Sequence, residues 1–176
     1  MQTLTYTEGR EQIRNGDILA FHTAKISPFG PKVVSYFTGY SIYHVGIAVW
    51  LYSSEGDQRL FIVEANKGNR QIVPLSLYAG ERIDVYKYPV MFKKFSGKLL
   101  DSVGFVKYSY IDLPIIWLKE KFGIELRNQS GEVCSEMIAK MYDGTKFQLN
   151  TSLISPGKLI EDLVIKGMKI RVSLDK

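Results

Sequence analysis

Only one cysteine, Cys134, and two histidines, His22 and His44, occur among the 176 residues. A lone cysteine excludes an internal disulfide framework, so nothing in the chain demands an oxidising compartment. One Cys and two His, with neither H-x-x-x-H nor C-x-x-C spacing, also fall short of the usual zinc set, and no metal or other cofactor is expected. Long apolar runs are missing as well. Runs such as Leu113 to Leu118 are about six residues, against about 20 for a membrane-crossing helix, and the N-terminal stretch MQTLTYTEGREQIRNGD has no apolar signal segment. The expectation is a chain with no transmembrane segment and no signal peptide, either cytoplasmic or associated with a phage or virion. Pro/Ser-rich linkers, low-complexity tracts and fixed-period repeats are also absent, so residues 1–176 read as a single domain.

What is present is ordinary globular composition, 45% hydrophobic and 23% charged, which excludes disorder, collagen and coiled coil. A chain of this length buries roughly 70% of the surface its unfolded form exposes, enough for one core. Lys and Arg outnumber Asp and Glu by 23 to 18. That excess favours anionic partners such as nucleic acid, acidic lipid or cell-wall polymer and is too small to choose among them. The basic residues are scattered in ones and twos (Lys93 and Lys94, Lys119 and Lys121, Lys166 and Lys169), as on solvated faces rather than along a phosphate-tracking stripe, so no nucleic acid is expected as partner.

Asn15-Gly16 marks a turn before a strand from Ile18 to His22, and SPFGPK reads as loop because of its two prolines and glycine. In YHVGIAVWLY, the bulky Val45, Ile47 and Val49 alternate with His44, Gly46 and Ala48, the period of a strand with one bulky and one close-approach face. SSEGDQ is a turn of about six or seven residues, and RLFIVEAN returns antiparallel. RIDVYKYP is a third strand. Beyond Pro89 the apolar period becomes helical, at Leu99, Leu100, Val103 and Val106, then from Asp112 with Pro114 in the first turn to Gly123, then from about Glu132 to Gly144. Ser155-Pro156 opens a helix that stops at Gly167, and MKIRVSL closes as a strand. Strands, then helices, then a strand point to α+β, a small antiparallel sheet packed against helices.

Cys134 shares a helical stripe with Met137, Ile138 and Met141. Free cysteine is often simply buried, but a thiol in a helix's first turn also meets unpaired N–H groups and the positive end of the helix dipole, which favour thiolate. A base must come from His22 or His44. If the hairpin turn centres near Glu55, facing residues sum to about 110; His44 then opposes Asn66, Gly46 opposes Glu64, and residues 44, 46, 64 and 66 share one face. One strand face then carries an imidazole and a carboxylate to fix its tautomer. His22, at a strand end before a loop, reads as structural. Tyr36, Phe37, Tyr40 and Tyr43 either pack or line a cleft.

NGDILAF, YHVGIAV, FIVEAN, VCSEMI and the late SP before an amphipathic helix, in that order, resemble the circularly permuted branch of the NlpC-type papain-like cysteine hydrolases, which includes lecithin-retinol acyltransferase-like enzymes. The resemblance spans Asn15 to Leu163. It implies a permuted papain-like fold, with Cys134 as nucleophile, His44 as general base, Glu64 as its orienting partner and the Cys134 N–H in an oxyanion hole. YSYIDLP departs from the family's Tyr-Asp pair by the intervening Ile111, which leaves Tyr110, with Tyr43, as an oxyanion or substrate contact. The implied activity is that of a thiol hydrolase or acyltransferase acting on a peptide, a peptidoglycan fragment or a lipid ester. The alternative is a non-catalytic module of the same fold that binds lipid, cell wall or protein.

Overall fold

The computed structural model describes residues 3–23, 29–66, 69–87, 96–101, 103–104, 116, 118–119, 121–123, 133–141, 148–149 and 154–175. Within them the chain is α+β. Strands β1 (Thr3–Thr5), β2 (Ile18–His22), β3 (Ile42–Tyr52), β4 (Gln58–Asn66), β5 (Asn69–Pro74), β6 (Ile83–Tyr86) and β7 (Ile170–Asp175) form one sheet in the order β1-β7-β6-β2-β3-β4-β5. Only β1 and β7 run parallel; the other neighbours are antiparallel. Helices α1 (Tyr6–Gly9), α2 (Phe29–Thr38), α3 (Ser96–Asp101), α4 (Cys134–Met141) and α5 (Pro156–Ile165) accompany the sheet. No helix among the described residues is long and apolar enough to cross a membrane.

Both faces of the sheet are covered. On one, Ile18, Ala20, Val45, Ile47, Val49 and Val63 pack with Met137 and Ile138 of α4 and Leu159, Ile160 and Leu163 of α5. On the other, Leu19, Phe21, Ala48, Ile62, Val85 and Val172 enclose Ile13 and Leu75. Burying an aliphatic or aromatic side chain contributes about 1.5–3 kcal/mol. This two-sided burial is why β2 reads ILAF, apolar at every position, rather than alternating. Gly46 stands where β3 and β4 cross closely: an added Cβ would meet Ile62 side-chain atoms at 2.4 and 2.6 Å and the Val63 carbonyl at 3.0 Å. The NGD turn is also tied down by charge. Buried Asp17 accepts the Arg14 N–H at 2.8 Å and lies 2.6 Å from the Arg171 guanidinium.

The hairpin register is the one the sequence suggests. Ile47 faces Val63, Ala48 faces Ile62 and Val49 faces Phe61, each pair summing to 110. The connection is shorter than expected, residues 53–57, closed by the Asp57 N–H on the Ser53 hydroxyl at 3.1 Å with Gly56 at φ +86°. SPFGPK is a larger correction, because its Phe29–Lys32 portion opens α2 instead of remaining a loop. Pro31 sits in the helix's first turn, where backbone N–H groups have no partner within the helix, so proline costs no hydrogen bond there. The helix read through Val103 and Val106 ends at Asp101, and Gly104, at φ +81°, gives its N–H to the Arg70 carbonyl at 2.8 Å; Val106 lies outside the described residues. Asp112, Pro114 and Gly144 also lie outside them, whereas the stop at Gly123 is present, at φ +68°. α5 starts as read, with the Ser155 hydroxyl accepting the Lys158 N–H and Pro156 opening the helix. β1 and the short 3₁₀ turns Arg10–Gln12 and Leu75–Tyr78 carry no pattern strong enough to be read from sequence, and β5 went unread.

Candidate active site

α4 begins at Cys134. Its start is held from two directions. The Glu136 carboxylate turns back to accept the Val133 N–H at 3.2 Å, and the buried Ser135 hydroxyl bonds the Ile154 carbonyl just ahead of α5. The apolar side of the same helix, Met137 and Ile138, is sealed into the core. The sulfur is consequently placed by the packing of two helices rather than by a mobile loop. Cys134 is 3% exposed and sits in the helix's first turn, where N–H groups lack intrahelical acceptors.

His44 lies near the beginning of β3, opposite Phe21 of β2, and is 8% exposed. Two groups act on its ring. Nε2 is 2.8 Å from Glu64 Oε2, and Cys134 is near enough to act on the ring's protonation; with Nε2 on the carboxylate, Nδ1 is the nitrogen free to serve the sulfur. Burial by itself works against the imidazolium, but interactions with Cys134 and with Glu64 outweigh it and raise the His44 pKa well above its ordinary value.

Glu64 has no exposed surface. A buried carboxylate is tolerated when its lone pairs are filled, and these are. Gln71 Nε2 donates to Oε1 at 2.7 Å and Asn66 Nδ2 at 3.3 Å, while the Tyr78 hydroxyl lies 2.8 Å from both oxygens. Burial would raise the Glu64 pKa; the bonds from His44, Gln71 and Tyr78 reverse that and hold it near 2. The carboxylate therefore stays ionised and acts on Nε2 as a fixed acceptor.

Aromatic rings frame the imidazole. Phe21 is 5.4 Å from it between centroids and 4.8 Å from Tyr78. Tyr43 lies at 6.2 Å with planes 29° apart, and its hydroxyl donates to Glu81 at 2.7 Å. Burial and Glu81 both raise the Tyr43 pKa, so the phenol stays protonated. Of the other tyrosines read as packing or cleft-lining, Tyr36 is exposed and Tyr40 spends its hydroxyl on Glu161 at 2.8 Å. Tyr110 is outside the described residues.

Cys134, His44 and Glu64 are thus brought together. Sequence reasoning missed Gln71 and Tyr78. The first had a signal: Asn66 faces Asn69 across a two-residue connection ending in Gly68, a register that puts Gln71 directly opposite Glu64. Tyr78 had none, because its 3₁₀ turn reaches Glu64 only through tertiary packing. His22 is engaged elsewhere, on Asp84 and Ser41. No group of three or more His, Cys, Asp or Glu among the described residues is arranged to hold a metal ion.

No family model and no curated protein matches this chain. Among solved structures, it is similar to one described as metalloprotein yiiX from Escherichia coli O157:H7, DUF1105, with a TM-score of 0.55 and 14% identity, over 94% of this chain and 99% of the other. At that identity the likeness concerns the fold alone.

Proposed function

We propose that this chain is a cysteine hydrolase of the circularly permuted papain-like type, with Cys134 as nucleophile, His44 as general base and acid, and Glu64 as the carboxylate that orients the imidazole. The supporting observation is the buried His44–Glu64 pair, with the carboxylate filled on both oxygens, and the influence of Cys134 on the His44 ring. The substrate class is an amide or peptide, peptidoglycan fragments included, or a lipid ester.

The chemistry follows from the charges. The thiolate attacks the carbonyl carbon, forming the C–S bond, and the carbonyl oxygen takes the negative charge beside the first-turn N–H groups of α4. His44 passes its Nδ1 proton to the departing amine or alcohol, leaving a thioester. His44, now neutral, takes a proton from water as the water attacks the thioester carbonyl, and the carboxylic acid leaves with the thiolate restored. Glu64 keeps Nε2 protonated throughout, so that Nδ1 is always the nitrogen exchanging the proton. The structural neighbour's name includes a metal, but that reading does not fit these residues: Nε2 of His44 and both oxygens of Glu64 already have partners.

The test is alkylation by iodoacetamide at pH 6, followed by mass spectrometry. Cys134 should react much faster than a free thiol, and His44→Ala should slow it on the order of 100-fold. Reaction at the ordinary thiol rate, unchanged by His44→Ala, removes the enzyme reading and leaves a binding module, in which Cys134→Ser would be without effect in cells.

A further inference from the structure

Away from Cys134, a second polar series runs across β6, β2 and the lead-in to β3. Asp84 of β6 faces Ala20 of β2, two residues before His22, and Ser173 of β7 lies on its other side. His22 Nε2 is 2.8 Å from Asp84 Oδ2, and His22 Nδ1 is 3.1 Å from the Ser41 hydroxyl. Asp84 Oδ1 accepts the Ser173 hydroxyl at 2.5 Å. Burial opposes ionisation of Asp84, yet the bonds from His22 and Ser173 lower its pKa. An ionised Asp84 requires the proton on Nε2, and in the neutral ring that leaves the Nδ1 lone pair facing the Ser41 O–H.

Holding the chain in place does not need that bond. The Ser41 carbonyl is already fixed by the Thr23 N–H at 2.8 Å and the Thr23 hydroxyl at 3.2 Å. The Ser41 side chain is exposed, while the His22 and Asp84 side chains are each 11% exposed. A hydroxyl open to solvent, a base within hydrogen-bond reach and a carboxylate that fixes the base's tautomer are the elements of an activated serine. As in the His44 pair, Nε2 is the nitrogen on the carboxylate.

We infer that Ser41 is a second nucleophile, activated by His22 and Asp84, that accepts acyl groups from small activated esters. The Ser41 oxygen forms a bond to the acyl carbon as its proton moves to His22 Nδ1. The ester C–O bond breaks, and the leaving alcohol takes that proton, so an O-acyl serine and a free alcohol result. With a fluorophosphonate, the oxygen bonds to phosphorus and fluoride departs with the proton as HF.

The experiment uses the full chain carrying Cys134→Ala, which removes the thiol and makes the outcome independent of the Cys134 reading. It is treated with a fluorophosphonate probe and, separately, with p-nitrophenyl acetate, and the adducts are mapped by peptide mass spectrometry. One adduct should form, at Ser41. It should be lost in Ser41→Ala, an exposed substitution that leaves the fold intact, and should form on the order of 100-fold more slowly in His22→Gln. If circular dichroism shows that His22→Gln does not fold, Asp84→Asn, which releases the tautomer, is expected to slow labelling in its place. Absence of a Ser41 adduct, or a labelling rate indifferent to both His22→Gln and Asp84→Asn, overturns the inference.

Discussion

Two imidazole–carboxylate pairs stand at the same end of neighbouring strands with the same separation, 2.8 Å from Nε2 to oxygen, and the surroundings of each carboxylate are what distinguish them. Glu64 is sealed from solvent and receives Tyr78, Gln71 and Asn66 in addition to His44. Asp84 keeps some surface and receives Ser173 in addition to His22. A pair of fixed length is thus built in one place around a carboxylate with no exposed surface and several donors, and in the other around one that keeps a little surface and has fewer. The first costs desolvation, which is offset only while every partner remains in place. It should therefore be the more fragile of the two when cut, although the distances at its centre are no shorter.

Truncating the carboxylates gives the largest contrast. Glu64→Ala strands His44, Tyr78 and Gln71 without their acceptor in a closed site and should cost about 3–5 kcal/mol in urea unfolding, the range for breaking a buried charged pair. Asp84→Ala, where water can replace the lost oxygens, should cost about 1–2 kcal/mol. Equal losses would mean that the shell around Glu64 contributes nothing.

Acid separates the two by a smaller margin. The Glu64 pKa is lowered from 4.5 unfolded to about 2 folded, so its contribution, on the order of 3 kcal/mol, is present above pH 4.5 and is lost as pH falls toward 2. The His44 pKa is raised from 6.5, so its contribution is complete below pH 6.5 and is lost as pH climbs through the higher folded value. The buried pair is thus most stabilising between pH 4.5 and 6.5. Asp84, lowered from 3.8, acts in the same direction as Glu64. Unfolding free energies measured from pH 6 to pH 2 should fall steeply in the wild-type chain, much less in Glu64→Gln, and nearly as steeply as wild type in Asp84→Asn. A Glu64→Gln curve parallel to wild type would show that Glu64 is not ionised in the folded protein.

How far the sequence foretold this contrast depends on the range of each interaction. The β3–β4 register could be read because the hairpin is local: Gly56 marks the turn, and the bulky period of Val45, Ile47 and Val49 leaves His44 on the alternate face with Glu64. α5 was equally legible from Ser155, Pro156 and Gly167, whose effects act within a turn or two. The pairing of His22 with Asp84 was not, since β2 and β6 are separated by three intervening strands in the chain and nothing in either segment records the other. Tyr78 was invisible for the same reason. The misread proline at Pro31 is different in kind: proline breaks helix interiors but is tolerated at their starts, and a window rich in Pro and Gly does not say which applies.

The smallest test takes one hydroxyl from each shell. Tyr78→Phe removes the donor shared by both Glu64 oxygens but preserves the ring against Phe21. Ser173→Ala removes the hydroxyl on Asp84. A hydrogen bond to a charged group contributes about 1.5–3 kcal/mol, and water can replace part of that at Asp84 but not at Glu64. Tyr78→Phe should therefore lie near the upper end of the range and Ser173→Ala at or below the lower end. The same Tyr78→Phe chain should lose stability at a higher pH than wild type on acidification, because Glu64, with one donor fewer, holds its proton more readily. If Tyr78→Phe instead proves neutral, with its acid transition unmoved, Gln71 and Asn66 alone satisfy Glu64, and the hydroxyl between its oxygens is there to fill space.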